Sequence, residues 1–227
     1  TSSKDKTVRI WNYLNNQLEV NKHFEDEEPL KVSFHPNGLH LAILFKTVVR
    51  VFDVLENDLM ETKFLTNAQS PKDVKFSNFG CMLGVCSKSS LKIFNFYTYD
   101  ILFDSSETKT KYQNMKSHKS DITAMCWELD DTGVATCGMD GRVIYWDLNK
   151  LEQTIVYEGK EADYFDFGAK EFKDVQIVTE DDFTKHLLAL NEDGILSYLD
   201  KETVVVHDHN KVNYNQYFLQ FFHHKQY

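Results

Sequence analysis

Val143-Ile144-Tyr145-Trp146-Asp147 reads apolar, any, apolar, aromatic, Asp or Asn, and the same pattern returns four more times along the chain. It stands as Val8-Arg9-Ile10-Trp11-Asn12, Val49-Arg50-Val51-Phe52-Asp53 and Leu91-Lys92-Ile93-Phe94-Asn95. Its weakest copy is Leu196-Ser197-Tyr198-Leu199-Asp200. Successive fourth positions lie 41, 42, 52 and 53 residues apart. Recurrence at this spacing marks a repeat architecture, in which one supersecondary unit cannot bury its apolar face alone and stacks on the next. Such architectures offer extended surface to partners.

Outward from Val143, the whole unit becomes legible. Ile122-Thr123-Ala124-Met125-Cys126-Trp127 alternates as a strand does. Asp130-Asp131-Thr132-Gly133 is a turn cluster, and Val134 to Cys137 is the next strand. Met139-Asp140-Gly141 carries Asp-Gly, the strongest short hairpin signal, and Arg142 to Asp147 is the third strand. Earlier units repeat the layout: Val32 to Phe34, His35-Pro36-Asn37-Gly38, Leu41 to Leu44; then Val74 to Phe76, Ser77-Asn78-Phe79-Gly80, Met82 to Val85. A fourth, less regular strand follows each aromatic-acid pair, as at Thr62–Leu65 and Tyr99–Phe103. The result is a series of four-stranded antiparallel sheets. Val8 and Ile10 point one way, Arg9 and Trp11 the other, so each sheet has large residues on both faces. Burial between two neighbours follows, and radial stacking of such sheets is a β-propeller.

The bulk properties narrow the function. The chain has 227 residues, 42% hydrophobic and 26% charged, with a net charge of −10. No basic field would attract phosphates, which argues against a general nucleic-acid or anionic-membrane binder. No apolar run reaches the length of a membrane span. None of the four Cys forms a CxxC pair, and Cys126 and Cys137 sit in apolar strand runs, which fits a reducing, cytoplasmic setting. Thr1 to Asp5 already lie inside the first repeat, so the chain reads as a fragment of a longer one.

On these residues the chain resembles WD-repeat propellers. Ser117-His118 stands for the family's Gly-His, followed by Ile122 to Trp127, Asp131-Thr132-Gly133, Thr136, Asp140 and Trp146-Asp147. The resemblance implies a hydrogen-bonded structural tetrad of His118, Thr136, Asp140 and Trp146, in which a buried indole N–H and an imidazole both find acceptors. Thr1, Asp5 and Trp11 match the last three members in the first unit. The second and third units lack it: Glu25 and Asn67 fall where the His would be, and Phe52 and Phe94 replace Trp. The fifth keeps the Glu192-Asp193-Gly194 turn but has Leu199 for the aromatic. The expectation is an all-β partial ring of four to five blades over residues 1–200, the first truncated and the last degenerate. Residues 201–227 then supply a further blade strand or a docking tail, rich in Tyr214, Tyr217, Phe218, Phe221 and Phe222.

A narrower resemblance is to the cilia- and flagella-associated protein 57 family. It is carried by Asp5 to Tyr13 with Leu18-Glu19, by His35-Pro36-Asn37-Gly38, by Phe76-Ser77-Asn78-Phe79-Gly80, and by Trp127 with Asp130-Asp131 and Gly138 to Leu148. That family has two propellers and a long coiled coil; no heptads occur here. The resemblance implies a non-catalytic scaffold of the cilium or flagellum axoneme, part of the cytoskeleton. Its implied partners are the inner dynein arm, neighbouring axonemal regulatory proteins and the doublet microtubule complex, with neither nucleic acid nor membrane. Two rival readings stay open: a WD-repeat scaffold of another cytoplasmic complex, such as a ubiquitin-ligase substrate receptor, and a propeller hydrolase.

No chemistry-bearing motif competes with this reading. There is no GxSxG and no glycine-rich phosphate loop. Asp130-Asp131 and Asp181-Asp182 read as solvated turn residues. His207, His209, His223 and His224 cluster late, and His207 and His209 could share a strand face, but the spacing is not that of a metal site. Catalytic, cofactor and metal residues are therefore expected to be none. Arg9, Arg50 and Lys92 recur at one strand position, as blade-face residues with snorkelling heads. The segments 104–116 and 174–186 read as loop insertions, either binding loops or plain disorder. Glu25-Asp26-Glu27-Glu28 is a solvated run that a basic partner would also suit.

Overall fold

The computed structural model describes residues 1–65, 70–106, 118–149, 152–158, 171–179, 185–194, 196–200 and 207–208. Within them every regular element is a strand. The first sheet is a hairpin, β1 (Thr7–Asn12) with β2 (Gln17–His23). The second holds β3 (Lys31–Phe34), β4 (His40–Leu44), β5 (Val49–Leu55) and β6 (Asp58–Leu65). The third holds β7 (Pro71–Phe76), β8 (Met82–Ser87), β9 (Ser90–Asn95) and β10 (Ile101–Asp104). The fourth holds β11 (Ile122–Trp127), β12 (Gly133–Gly138), β13 (Arg142–Asp147) and β14 (Glu152–Glu158). The fifth holds β15 (Phe172–Thr179), β16 (Lys185–Asn191), β17 (Leu196–Asp200) and β18 (His207–Asp208). Each is an antiparallel meander in chain order, and all five copies of the recurring pattern lie on strands, at β1, β5, β9, β13 and β17. These are the blades of a β-propeller, arranged as an arc.

Alternation along each strand makes the arc. In β4, Leu41 and Ile43 pack with Val8, Val20 and Phe52 toward the first sheet, whereas Ala42 and Leu44 pack with Val74, Leu83 and Phe94 toward the third. In β13, Ile144 and Trp146 join Leu91, Ile93 and Phe103 of the third sheet, whereas Val143 and Tyr145 join Phe172, Val175 and Leu187 of the fifth. Each blade is thus a double-sided wedge whose two faces belong to different cores. A fully buried Leu, Ile or Phe at such a position contributes about 1.5–3 kcal/mol relative to exposure, so isolated sheets of this size have little to hold them and the stack supplies the stability.

The turn between a blade's first two strands has one shape three times over. Gly38, Gly80 and Asp131 occupy its left-handed position, at φ of 74°, 79° and 58°. In each, the N–H of that residue donates to the carbonyl three residues earlier: His35, Ser77 and Glu128. Glycine is the usual occupant of this region, and Asp tolerates it where its side chain can bond locally.

One expectation is corrected. Residues 174–186 are not a loop insertion: Asp174 to Thr179 lies in β15 and Lys185 and His186 begin β16. The stretch Asp174-Val175-Gln176-Ile177 alternates with period two, and Val175 and Ile177 pack against the fourth sheet. In the tail, His207 and Asp208 pair with Tyr198 and Ser197 as the fourth strand of the fifth sheet. Asn67, Asp181, Asp182, His209, His223, His224, residues 107–116 and the aromatic segment after 212 lie outside the described residues.

Candidate functional site

Three side-chain systems stand out, each on a hairpin end or an inner strand. The first runs through the fourth blade. His118 and Trp146 are buried, and Thr136 lies between them on β12. The Trp146 indole N–H donates to Thr136 Oγ1 at 2.8 Å. His118 Nε2 lies 2.9 Å from the same hydroxyl, and its Nδ1 lies 2.9 Å from Asp140 Oδ1. The arrangement lets the imidazole donate from Nδ1 to the carboxylate and accept the threonine hydroxyl at Nε2. Asp140 also accepts from the backbone N–H groups of Lys119 (2.7 Å) and Arg142 (3.2 Å). Burial works against its charge, yet these bonds, led by that from His118, hold its carboxyl below the usual 3.8. The sequence places these four residues 28 positions apart at the extremes, and the structure brings them into one chain of hydrogen bonds.

Thr1, Asp5 and Trp11 are not joined in this way. Thr1 pairs with Arg9 through its backbone. Asp5 accepts from the N–H and hydroxyl of Thr7 at 3.0 and 2.6 Å and from Arg9 at 2.7 Å, the turn-capping half of what Asp140 does. Those bonds, with the Thr7 hydroxyl foremost, draw its pKa down to about 2. Trp11 is 49% exposed where Trp146 is 1% exposed, because Trp146 faces the third blade and no described sheet covers the matching face of β1.

The second system laces neighbouring blades through their turns. His35 Nε2–H donates to Gly80 O at 2.9 Å while its Nδ1 accepts from Asn37 N–H. Its ring packs among Phe76, Phe96 and His40, and His40 bonds Asp53 at 2.8 Å. One blade further on, Asp131 takes the backbone N–H groups of Asn78 (2.7 Å) and Phe79 (2.8 Å), and the Asn78 amide donates to Asp131 and to Glu128 O. Asp131 is therefore a buried inter-blade clamp, not a solvated turn residue; its left-handed backbone turns the carboxylate toward the third blade. Asp130 caps Thr132 and stays exposed. Behind the turn, buried Glu128 accepts from the hydroxyls of Tyr145 and Thr132. Burial first, then Glu128, drives the Tyr145 phenol far above its ordinary value.

The third system sits between the first strands of successive blades, beside a cavity of about 560 Å³ lined in part by Lys31, Ser33, Asp73, Lys75, Ala124 and Asp174. Asp73 is buried, bonded to Lys31 at 3.0 Å and to the Met125 N–H at 2.9 Å. Asp174 caps its own neighbour Val175. The two acids of this cavity are thus held by structural partners, not set as a proton donor facing a proton acceptor.

The recurring basic residues are paired more closely than snorkelling heads. Arg9 meets Asp5, Arg50 meets Glu27 at 2.6 Å and covers the Phe45 ring, and Lys92 meets Asp104 at 3.1 Å. Glu27 of the acidic run is thereby engaged within the chain. The thiols of Cys86, Cys126 and Cys137 are all raised by burial, Cys137 to about 12, which leaves them protonated. Among the described residues no group of three or more His, Cys, Asp or Glu is placed to hold a metal ion. No described helix is long and apolar enough to cross a membrane.

The turn lacing and the Asp73 clamp were missed by sequence reasoning. The one available signal was the Gly38, Gly80, Asp131 equivalence at a left-handed position.

The family model "WD domain, G-beta repeat" matches residues 109–147. The chain is 40% identical over 149 residues to cilia- and flagella-associated protein 57 A of Tetrahymena thermophila, a match covering 66% of this chain and 11% of that protein. It is 32% identical over 152 residues to cilia- and flagella-associated protein 57 of Mus musculus, covering 66% and 11%. It is 28% identical over 169 residues to cilia- and flagella-associated protein 57 C of Tetrahymena thermophila, covering 69% and 12%. The matched stretch spans about a ninth of the length of these relatives.

Proposed function

We propose that this WD-repeat chain is a non-catalytic scaffold of the ciliary or flagellar axoneme, where it helps attach or regulate inner dynein arms on the doublet microtubule. The observation that carries the reading is the 40% identity, over two thirds of this chain, to a protein named for cilia and flagella. The geometry agrees in kind: of three carboxylates with buried side chains that could have served an acid–base reaction, Asp73 and Asp131 join neighbouring blades and Asp140 braces the fourth blade from within. Function on such a fold lies in the surfaces it presents.

Proximity labelling from the parent protein in motile cilia tests this directly. The expected labels are inner-dynein-arm and neighbouring regulatory subunits, in axonemes stripped of membrane. Labelling dominated by ubiquitin-ligase subunits, or absence of the protein from purified axonemes, would overturn it.

A further inference from the structure

One end of the arc differs from the other in apolar exposure and in having no cation among its described turn residues. In an antiparallel meander the first and third turns of every blade emerge at the same end. Among the described residues those turns are 13–16, 35–39, 56–57, 77–81, 96–100, 128–132 and 148–149. Their described residues contain exposed Glu56, Asp100 and Asp130, with Glu128 and Asp131 buried, and neither Lys nor Arg. The opposite end mixes Lys4, Lys6, Lys46, Lys88 and Lys119 with Asp5, the Glu25-Asp26-Glu27-Glu28 run and Asp121 in its described turns.

This end holds large apolar side chains out into solvent. Phe79 is 68% exposed and Leu129 66%, and Leu39 and Tyr97 are also exposed. They stand on turns that are fixed to one another. His35 Nε2–H bonds Gly80 O between the second and third blades, and Asp131 bonds Asn78 and Phe79 between the third and fourth. Tyr97 rests on Phe96, which packs on His35. Within each blade the third turn is tied to the first by Val54 N–H to Leu39 O, Phe96 N–H to Cys81 O and Leu148 N–H to Thr132 O. Exposed apolar groups on a preorganised, hydrogen-bonded frame lose little entropy on binding. An exposed apolar patch ringed by polar groups marks an interaction site.

Resting on the scaffold reading, we propose that this turn face, centred on Phe79 with Leu39, Leu129 and Tyr97, docks a basic protein segment in which Lys or Arg side chains flank apolar ones. The apolar members would cover the four tips. The basic ones would meet Asp100, Asp130 and Glu56 at the rim, where complementary charge chiefly sets partner choice and association rate. An acidic segment would meet like charge there, with no Lys or Arg among the described residues of these turns to receive it.

The test places a photo-crosslinking residue at Phe79 or Tyr97 of the full-length protein in ciliated cells, with Lys46 and Lys88 at the opposite end as controls, and maps the adducts by mass spectrometry. Adducts from 79 and 97 should exceed those from 46 and 88 several-fold and fall in segments of net positive charge with apolar residues. A synthetic copy of the mapped segment should bind at least tenfold more weakly to the Phe79→Ser, Leu129→Ser double variant, whose melting temperature should stay close to that of the parent because both side chains are exposed. Adducts in acidic segments, in a second copy of this chain, chiefly from the control positions, or none from 79 and 97 would overturn the proposal. If the protein proves absent from axonemes while 79 still reaches basic apolar segments, the axonemal reading fails and the docking face stands; the converse result fails the face alone.

Discussion

At the residue scale the hydrogen-bonded chain from Trp146 through Thr136 and His118 to Asp140 makes unequal demands on its members. His118→Ala leaves a buried carboxylate and a buried hydroxyl each without their main partner, and should destabilise the protein by about 2–4 kcal/mol in chemical denaturation. Trp146→Phe deletes the donor and part of a fully buried ring while Thr136 keeps its bond to His118, so the loss should be about 1–2 kcal/mol. Equal losses would mean that packing around the imidazole, not its bonds, dominates. The acid response has a fixed sign. Asp5, Asp58, Asp104 and Asp140 all have carboxyls lowered in the folded state from 3.8. Groups with a depressed folded pKa contribute stability that is complete above the unfolded value and is lost as pH falls through the folded value. Denaturation midpoints should therefore hold steady from neutral pH to just above 4 and drop below it, and Asp140→Asn should flatten part of that drop.

At the element scale the blades solve one packing problem in two ways, and the register shows how. In the fourth blade Val134 pairs with Trp146, and two residues on stands Thr136. In the second and third blades Leu41 pairs with Phe52 and Leu83 with Phe94, and two residues on stand Ile43 and Val85. Where the indole becomes a phenyl ring the hydroxyl becomes a methyl-bearing side chain, so no buried N–H is left without an acceptor. Val85→Thr should then cost about 1–2 kcal/mol, because the new hydroxyl meets neither indole nor imidazole; thermal melts of the single variant decide it. The strands and their faces were legible in the sequence because alternation and turn residues are local signals, as at Ile122–Trp127 and Asp140-Gly141. The lacing was not, because it joins residues such as Asn78 and Asp131, 53 positions apart, whose types alone look like ordinary turn polarity. The same limit hid β15, where Asp174 and Lys173 among apolar residues masked a period of two. Gly80 shows what the lacing requires. A Cβ there would run into the His35 ring, and its φ of 79° is unfavourable for any side chain. Gly80→Ala should destabilise by about 2 kcal/mol or more, whereas the same change at Gly38, whose Cβ would meet open space, should carry only the backbone penalty of about 1 kcal/mol. A denaturation comparison of the two variants separates the steric part from the conformational one.

At the scale of the whole molecule, the arc is only as rigid as the joints between blades, and the inner strands hold the most economical joint. Asp73 on β7 bonds Lys31 from β3 and the Met125 N–H from β11, and Lys31 reaches on to Thr123 O at 3.3 Å, so one carboxylate ties three blades. Asp73 is buried whereas the Lys31 side chain is 42% exposed, which makes the two ends unequal. Removing Lys31 leaves the carboxylate its backbone donors, and the exposed ammonium contributes little once solvent screens it. Removing the carboxylate leaves the Met125 N–H buried and unmatched, while the inner-strand ties from Phe76 N–H to Ser33 and from the Trp127 indole to Lys75 O remain. Asp73→Ala should therefore destabilise by about 3 kcal/mol and Lys31→Ala by less than 1 kcal/mol. The position of the damage is as telling as its size. Hydrogen exchange should speed at Met125 and along β7 and β11 in the Asp73 variant. The N–H groups of β5 and β13, buried by apolar packing within and between blades, should keep their protection until global unfolding. Uniform acceleration across all strands would show that the blades open together and that no single joint controls the arc.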